Sequence, residues 1–235
     1  MTRRQSVYMA FGPPAALLTG VLHFHAVGKD LTSEDMTFIP YYLADIQPLP
    51  QQPDYEQELT YIRAVQRAVL RIAPLNNGLP EGQLREPMQL YQAGTGQCYD
   101  RSRVIEKILN YAGFETRHVF MLALDAEQSP LQTMITPGIN SHAVTEVLTR
   151  KSWLVVDSNT DWVALAADRS PVSIESMRSG LQDSGGPTWY LKPPAAIYTR
   201  PFTYLYGLHS RHGQFYPPYD RIPDVHYGEF LMNVF

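Results

Sequence analysis

Leu59, Ile62, Val65, Val69 and Ile72 recur at steps of three and four residues in a stretch otherwise filled with Glu, Gln and Arg. At 3.6 residues per turn such positions share one face, so the spacing predicts a helix over 56–72. "APLNNGLPEG" ends it with turn-forming residues. A second helical pattern opens at Cys98 and runs to Ala112, with Val104, Ile105, Ile108 and Leu109 on one side. Gly113 stands where a C-terminal glycine cap belongs. Beyond it the period changes: "ETRHVFMLAL" (115–124) has strand character, and a polar loop with Pro130 and Pro137 follows. "SHAVTEVLT" and "SWLVVDSN" then form two short strands joined around Arg150 and Lys151. A helix followed by successive strands predicts an α+β domain, with the helix packed on an antiparallel sheet.

The flanks are different in kind. Residues 28–55 are rich in Pro, Asp and Gln and read as a linker into a core spanning 56–165. Residues 166–235 form a Tyr- and Pro-rich extension expected to pack on that core. At the N-terminus, Arg3 and Arg4 precede an uncharged run from Val7 to Val27, long enough to span a bilayer with its N-terminus held inside. Pro13 and Pro14 interrupt the run, His23 and His25 lie near its end, and no small-residue cleavage site follows. Residues 1–27 are therefore an anchor to a bacterial cell envelope or an apolar arm on a cytoplasmic protein.

Composition narrows the function classes. The 235 residues, 44% hydrophobic and 18% charged, suit a folded globular chain. A net charge of -4 gives no basic surface for nucleic acid. Cys98 is the one cysteine, so no internal disulfide staples the fold.

That cysteine lies in "GTGQCYDRS", just past Gly94 and Gly96 and at the start of the second helix. Free N–H groups and the positive end of the helix dipole favour a thiolate there, and the same amides can hold an oxyanion. If the hairpin turns on residues 150 and 151, paired positions sum to about 301 by hairpin counting. Asp157 then lies opposite Val144, and His142 and Asp157 become diagonal neighbours on one face. A carboxylate so placed can fix the imidazole tautomer that presents its other nitrogen to a thiol. Cys98, His142 and Asp157 thus read as nucleophile, base and orienting group.

The motifs in order resemble the transglutaminase-like superfamily. They are Cys98 opening a helix; Gly113, Arg117 and Val119; His142, Ala143, Glu146 and Val147; and Trp153 and Asp157. The resemblance covers residues 86–160 and implies a papain-like core, a Cys-His-Asp triad and chemistry at an amide acyl group, with a peptide, protein or other amide as substrate. It also covers proteases, amidases and inactive members. Tyr99 follows the cysteine where many members carry Trp nearby. The expected reaction is a thioester route ending in hydrolysis rather than transamidation. The alternative is a catalytically silent module binding a peptide or glycan through the same cleft.

Other candidates carry less. Gln92, six residues before Cys98, is the candidate second oxyanion donor, with Tyr91 as its competitor. Arg117 and Glu146 read as a sheet ion pair or as exposed charges. His209, His212 and His226, with Asp220 and Asp224 no more than possible partners, do not make a convincing metal-ligand spacing. No metal or cofactor is expected from the sequence.

Overall fold

The computed structural model describes residues 20–234 apart from 81, 125–128, 130–131, 134–135, 137, 184–185 and 210–223. Helix α1 (Ser33–Leu43) lies inside the stretch expected to be a linker. Its start is a reciprocal cap: the Thr32 hydroxyl accepts from the Asp35 N–H, and the Asp35 carboxylate accepts from the Thr32 N–H. Ile39 and Tyr42 on its inner side are fully buried, which holds a helix whose overall period is weak. Pro40 and two flanking tyrosines obscured that period in the sequence.

Helix α2 (Tyr55–Ile72) starts at the Asp54 cap and buries Leu59, Ile62, Val65 and Val69, the stripe read from the sequence. The short α3 (Pro87–Ala93) leads into α4 (Cys98–Tyr111), which ends before Gly113 at a left-handed φ of 89°. Strands β1 (Thr116–Ala123), β2 (Ser141–Leu148) and β3 (Trp153–Val156) follow. The chain then forms α5 (Ile174–Asp183), a 3-10 turn (Ala196–Tyr198) and β4 (Phe202–Tyr206). It closes with β5 (Leu208–His209), β6 (Asp224–Val225) and α6 (Tyr227–Leu231).

The main sheet has the order β3-β2-β1-β4 and is antiparallel throughout. Thr145 pairs with Val156 and Leu148 with Trp153, so the β2–β3 register sums to 301, as the turn at Arg150–Lys151 requires. One face, with Val147, Leu154 and Val156, packs on α1, α2 and α4. The other, with Val119, Met121, Val144 and Val155, is covered by Trp162, Ile174, Met177, Tyr198 and Phe202. The chain is thus an α+β fold with helices on one sheet face and the C-terminal segment on the other. β4 pairs with β1 and removes its free edge.

Arg117 and Glu146 are not surface charges. Arg117 Nε donates to Glu146 Oε2 at 2.7 Å, and both side chains are buried. Arg117 also lies 4.0 Å from the Trp153 ring and 4.3 Å from the Tyr206 ring. Glu146 Oε1 accepts from the Ile174 N–H at the start of α5. The pair therefore ties β1 and β2 to the C-terminal segment.

At the N-terminal side, residues 1–19, most of the uncharged run, lie outside the described residues. The end of the run is part of the fold: Ala26 bridges to Val225 and His25 Nδ1 lies 3.0 Å from Asp224 Oδ1. Among the described residues no helix is long and apolar enough to cross a membrane.

Candidate functional site

Two glycines explain how the chain delivers Cys98. Gly94 closes α3 in the left-handed region, at φ 62°, where a side chain would be strained. A Cβ on Gly96 would stand 2.5 Å from Leu90 Cδ1 and 3.2 Å from Asp100 Cβ. The loop can pass between α3 and α4 only because that atom is missing. Asp100, fully buried in the first turn of α4, then reaches back: its Oδ2 accepts from the Gln97 N–H at 2.8 Å and its Oδ1 pairs with Arg85. Cys98 is held half-buried at the helix start, where amide dipoles favour negative charge.

His142 is the second residue of β2, and Asp157 is the first residue after β3. The 301 register carries them to the same end of the hairpin, where His142 Nε2 lies 2.9 Å from Asp157 Oδ2. Alternation places His142 with Val144 on the face covered by the C-terminal segment, while α4 packs on the opposite face. Cys98 nevertheless interacts with the His142 ring, because α4 begins at the end of the sheet where the hairpin pair sits. With Nε2 committed to Asp157, Nδ1 is the ring nitrogen left for the thiol.

The electrostatics follow from burial and pairing. Burial opposes the charged imidazole of His142, but the hydrogen bonds to Asp157 and Cys98 outweigh it and push the ring up to about 10. Burial likewise opposes the Asp157 carboxylate, but the His142 hydrogen bond and charge hold it below its ordinary value. Its other oxygen is saturated: Oδ1 accepts from the N–H groups of Asn159 (2.7 Å) and Thr160 (2.6 Å) and from the Thr160 hydroxyl (3.1 Å). The expected continuation of the strand to Asn159 is replaced by this turn around the carboxylate.

Three supporting residues were not legible as such. The Tyr198 hydroxyl donates to Asp157 Oδ2 across 41 residues of sequence, and its ring meets His142 edge-on at 5.8 Å. No spacing links Tyr198 to the motifs; only its place among many tyrosines was visible. Gln66, a buried polar residue among the apolar positions of α2, donates to the carbonyls of Asp157 (2.7 Å), Thr160 (3.0 Å) and Trp162 (2.8 Å). Arg101 sits one turn after Cys98 and binds the Ala73 and Leu75 carbonyls and, at 2.8 Å, Asn159 Oδ1. Its positive charge interacts with Cys98 and Asp157.

Gln92 and Tyr91 lie exposed on the last turn of α3. Tyr91 packs with Phe38, Tyr41 and Tyr42 in an aromatic cluster. Among the C-terminal residues, His226 caps α6 by accepting from the Glu229 N–H, Asp224 meets His25, and His212 and Asp220 lie outside the described residues. A cleft of about 190 Å³ opens beside the pair, its lining including Asn140, His142, Asp157, Pro194, Ala196 and Ile197.

The structure thus brings a cysteine at a helix start to the end of an antiparallel sheet that carries a hydrogen-bonded His–Asp pair on a hairpin. Residues 49–158 match the family model of the transglutaminase-like superfamily. The match holds Cys98, His142 and Asp157, and begins ahead of α2 inside the stretch read as a linker. Cysteine-based acyl transfer or hydrolysis is the chemistry such a domain implies. No curated protein sequence matches the chain.

Proposed function

We propose that the protein is a cysteine hydrolase that cleaves an amide or peptide bond through a thioester acyl-enzyme. The observation that carries this reading is the buried His142–Asp157 hydrogen bond, at 2.9 Å, with Cys98 interacting with the same ring from a helix start. A binding module has no use for a base aligned by a desolvated carboxylate and aimed at a thiol at a helix start.

Cys98 Sγ, its proton already passed to His142 Nδ1, attacks the carboxamide carbon as a thiolate. The oxygen becomes negative and is stabilised by the helix-start amides, including the Cys98 N–H. Gln92 is the side-chain donor suggested by spacing; from its exposed position on α3 it would have to turn toward the cleft. Collapse breaks the C–N bond, and His142 returns the proton to the leaving amine. Water then attacks the thioester as His142 takes one of its protons, the acid is released and the thiol is restored. Asp157 stabilises the charged ring in both steps and Tyr198 holds Asp157. Water is taken as the default acceptor of the acyl group.

The test is the pH profile of Cys98 alkylation by iodoacetamide in the intact chain and in His142→Ala, followed by amide-substrate screening against Cys98→Ala. An assembled pair keeps the intact chain reactive well below the range of an ordinary thiol, about pH 8.5, and loses that reactivity in the variant. A profile that follows an ordinary thiol in both sinks the enzyme reading and leaves a peptide- or glycan-binding module.

A further inference from the structure

The far end of the nucleophile helix holds a second cluster. Glu106 on α4, His118 on β1 and His209 on β5 are all buried, and their ligand-capable atoms lie within 4.8 Å of one another. Glu106 Oε1, His118 Nε2 and His209 Nε2 are each buried with no hydrogen-bond partner among the described residues. Three such atoms converging in one place would cost roughly 1–3 kcal/mol apiece if nothing satisfied them.

Proton bookkeeping fixes what they need. The Thr145 hydroxyl spends its proton on the Ser102 carbonyl at 2.9 Å. In the 3.1 Å contact between the Ser102 and Thr145 hydroxyls, Ser102 must therefore be the donor. Ser102 Oγ is then left to accept at its 3.3 Å contact with His118 Nδ1, so that nitrogen carries the ring proton. His118 Nε2 is consequently a bare lone pair, facing a carboxylate oxygen and a second imidazole. The nearby cations are engaged: Lys29 Nζ lies 2.6 Å from Glu229 Oε1 but 3.9 Å from Glu106 Oε1. Arg103 reaches the other oxygen, Glu106 Oε2, at 3.4 Å and pairs with Glu86.

We propose that Glu106, His118 and His209 bind a divalent first-row cation, with Zn²⁺ the best match. Two imidazoles and one carboxylate form an established donor set for Zn²⁺, with water completing the shell, and Fe²⁺ uses the same set. The Ser102–His118 contact is the outer hydrogen bond that fixes a ligand's tautomer. Ligand atoms around one Zn²⁺ stand about 3.3 Å apart, given bonds of about 2.0–2.1 Å, so the set closes on the ion by side-chain rotation. The two rings, stacked at 4.0 Å and 21° apart, must open as their lone pairs turn to a common point. The ion would clamp α4, and with it the Cys98 turn, to the sheet and the C-terminal ribbon. His209, which found no partner along the sequence, finds two through the fold.

The test uses the full chain carrying Cys98→Ser, so that the thiol cannot compete, stripped with a chelator and titrated with Co²⁺ and then Zn²⁺. One equivalent of Co²⁺ should give visible ligand-field bands that Zn²⁺ displaces, with a rise in Tm on adding either metal. Glu106→Gln and His209→Gln should each abolish the bands. Absence of bands and of a Tm rise in the parent chain overturns the proposal without recourse to any variant. Bands that survive in either variant overturn it as well.

Discussion

At the scale of single residues, the site is a study in which polar groups are left open. Asp157 has both oxygens occupied, by His142 and Tyr198 on one side and by the Asn159–Thr160 turn on the other. Such saturation keeps the carboxylate ionised although it is almost wholly buried. Tyr198→Phe removes one donor while leaving the ring against Trp162, whose centroid is 4.7 Å away. Because that bond is to a charged acceptor, its loss should lower unfolding free energy by about 1.5–3 kcal/mol in urea denaturation. A change within error would mean that Asp157 does not depend on the C-terminal segment. The place of Cys98 at a helix start and the pairing of His142 with Asp157 were legible from residue type and order. Tyr198 was not, because a hydrogen bond across 41 residues leaves no periodic trace.

At the scale of elements, the β2–β3 hairpin and the α3–α4 loop do the positioning. The hairpin register could be counted because its turn has a fixed length, and one slipped residue would send His142 to the other face. The loop depends on Gly96 having no side chain. Gly96→Ala pushes a methyl group onto Leu90 and Asp100, both fully buried, and should destabilise the chain by about 1–3 kcal/mol. Thermal unfolding would report that loss, and Cys98 alkylation at neutral pH should slow because the helix start is displaced. An unchanged alkylation rate beside a lowered Tm would show that the loop can shift without moving the thiol. Helix α1 escaped prediction for an elementary reason: it buries only a narrow strip, Ile39 and Tyr42, so its sequence carries little period.

At the scale of the molecule, the charged His142 ring belongs to folding as well as chemistry. Its folded value, about 10, lies above the ordinary imidazole value of about 6.5. A raised value means the folded state holds a proton that the unfolded chain releases. The stabilisation is therefore complete below about pH 6.5 and is lost as pH climbs through about 10. Tm should fall between those limits in the intact chain and fall less in His142→Ala. Equal slopes would mean that other groups carry the alkaline loss. The C-terminal segment matters at this scale too, since it covers one sheet face, pairs β4 with β1 and supplies Tyr198.

Local physics was enough to determine the two main helices, the hairpin register and the pairing of His142 with Asp157. Each depends on periodicity, turn length or a glycine requirement, all of which act over a few residues. Tertiary structure alone decided that α4 would lie across the sheet from His142 yet meet it at the sheet's end. It also decided that Arg117 and Glu146 would be buried rather than exposed, and that Tyr198 would reach Asp157. Glu106, His118 and His209 come together in the same way, although 91 residues separate the two histidines. Such contacts arise when distant segments are packed to bury apolar surface, and the choice of neighbours belongs to the whole chain.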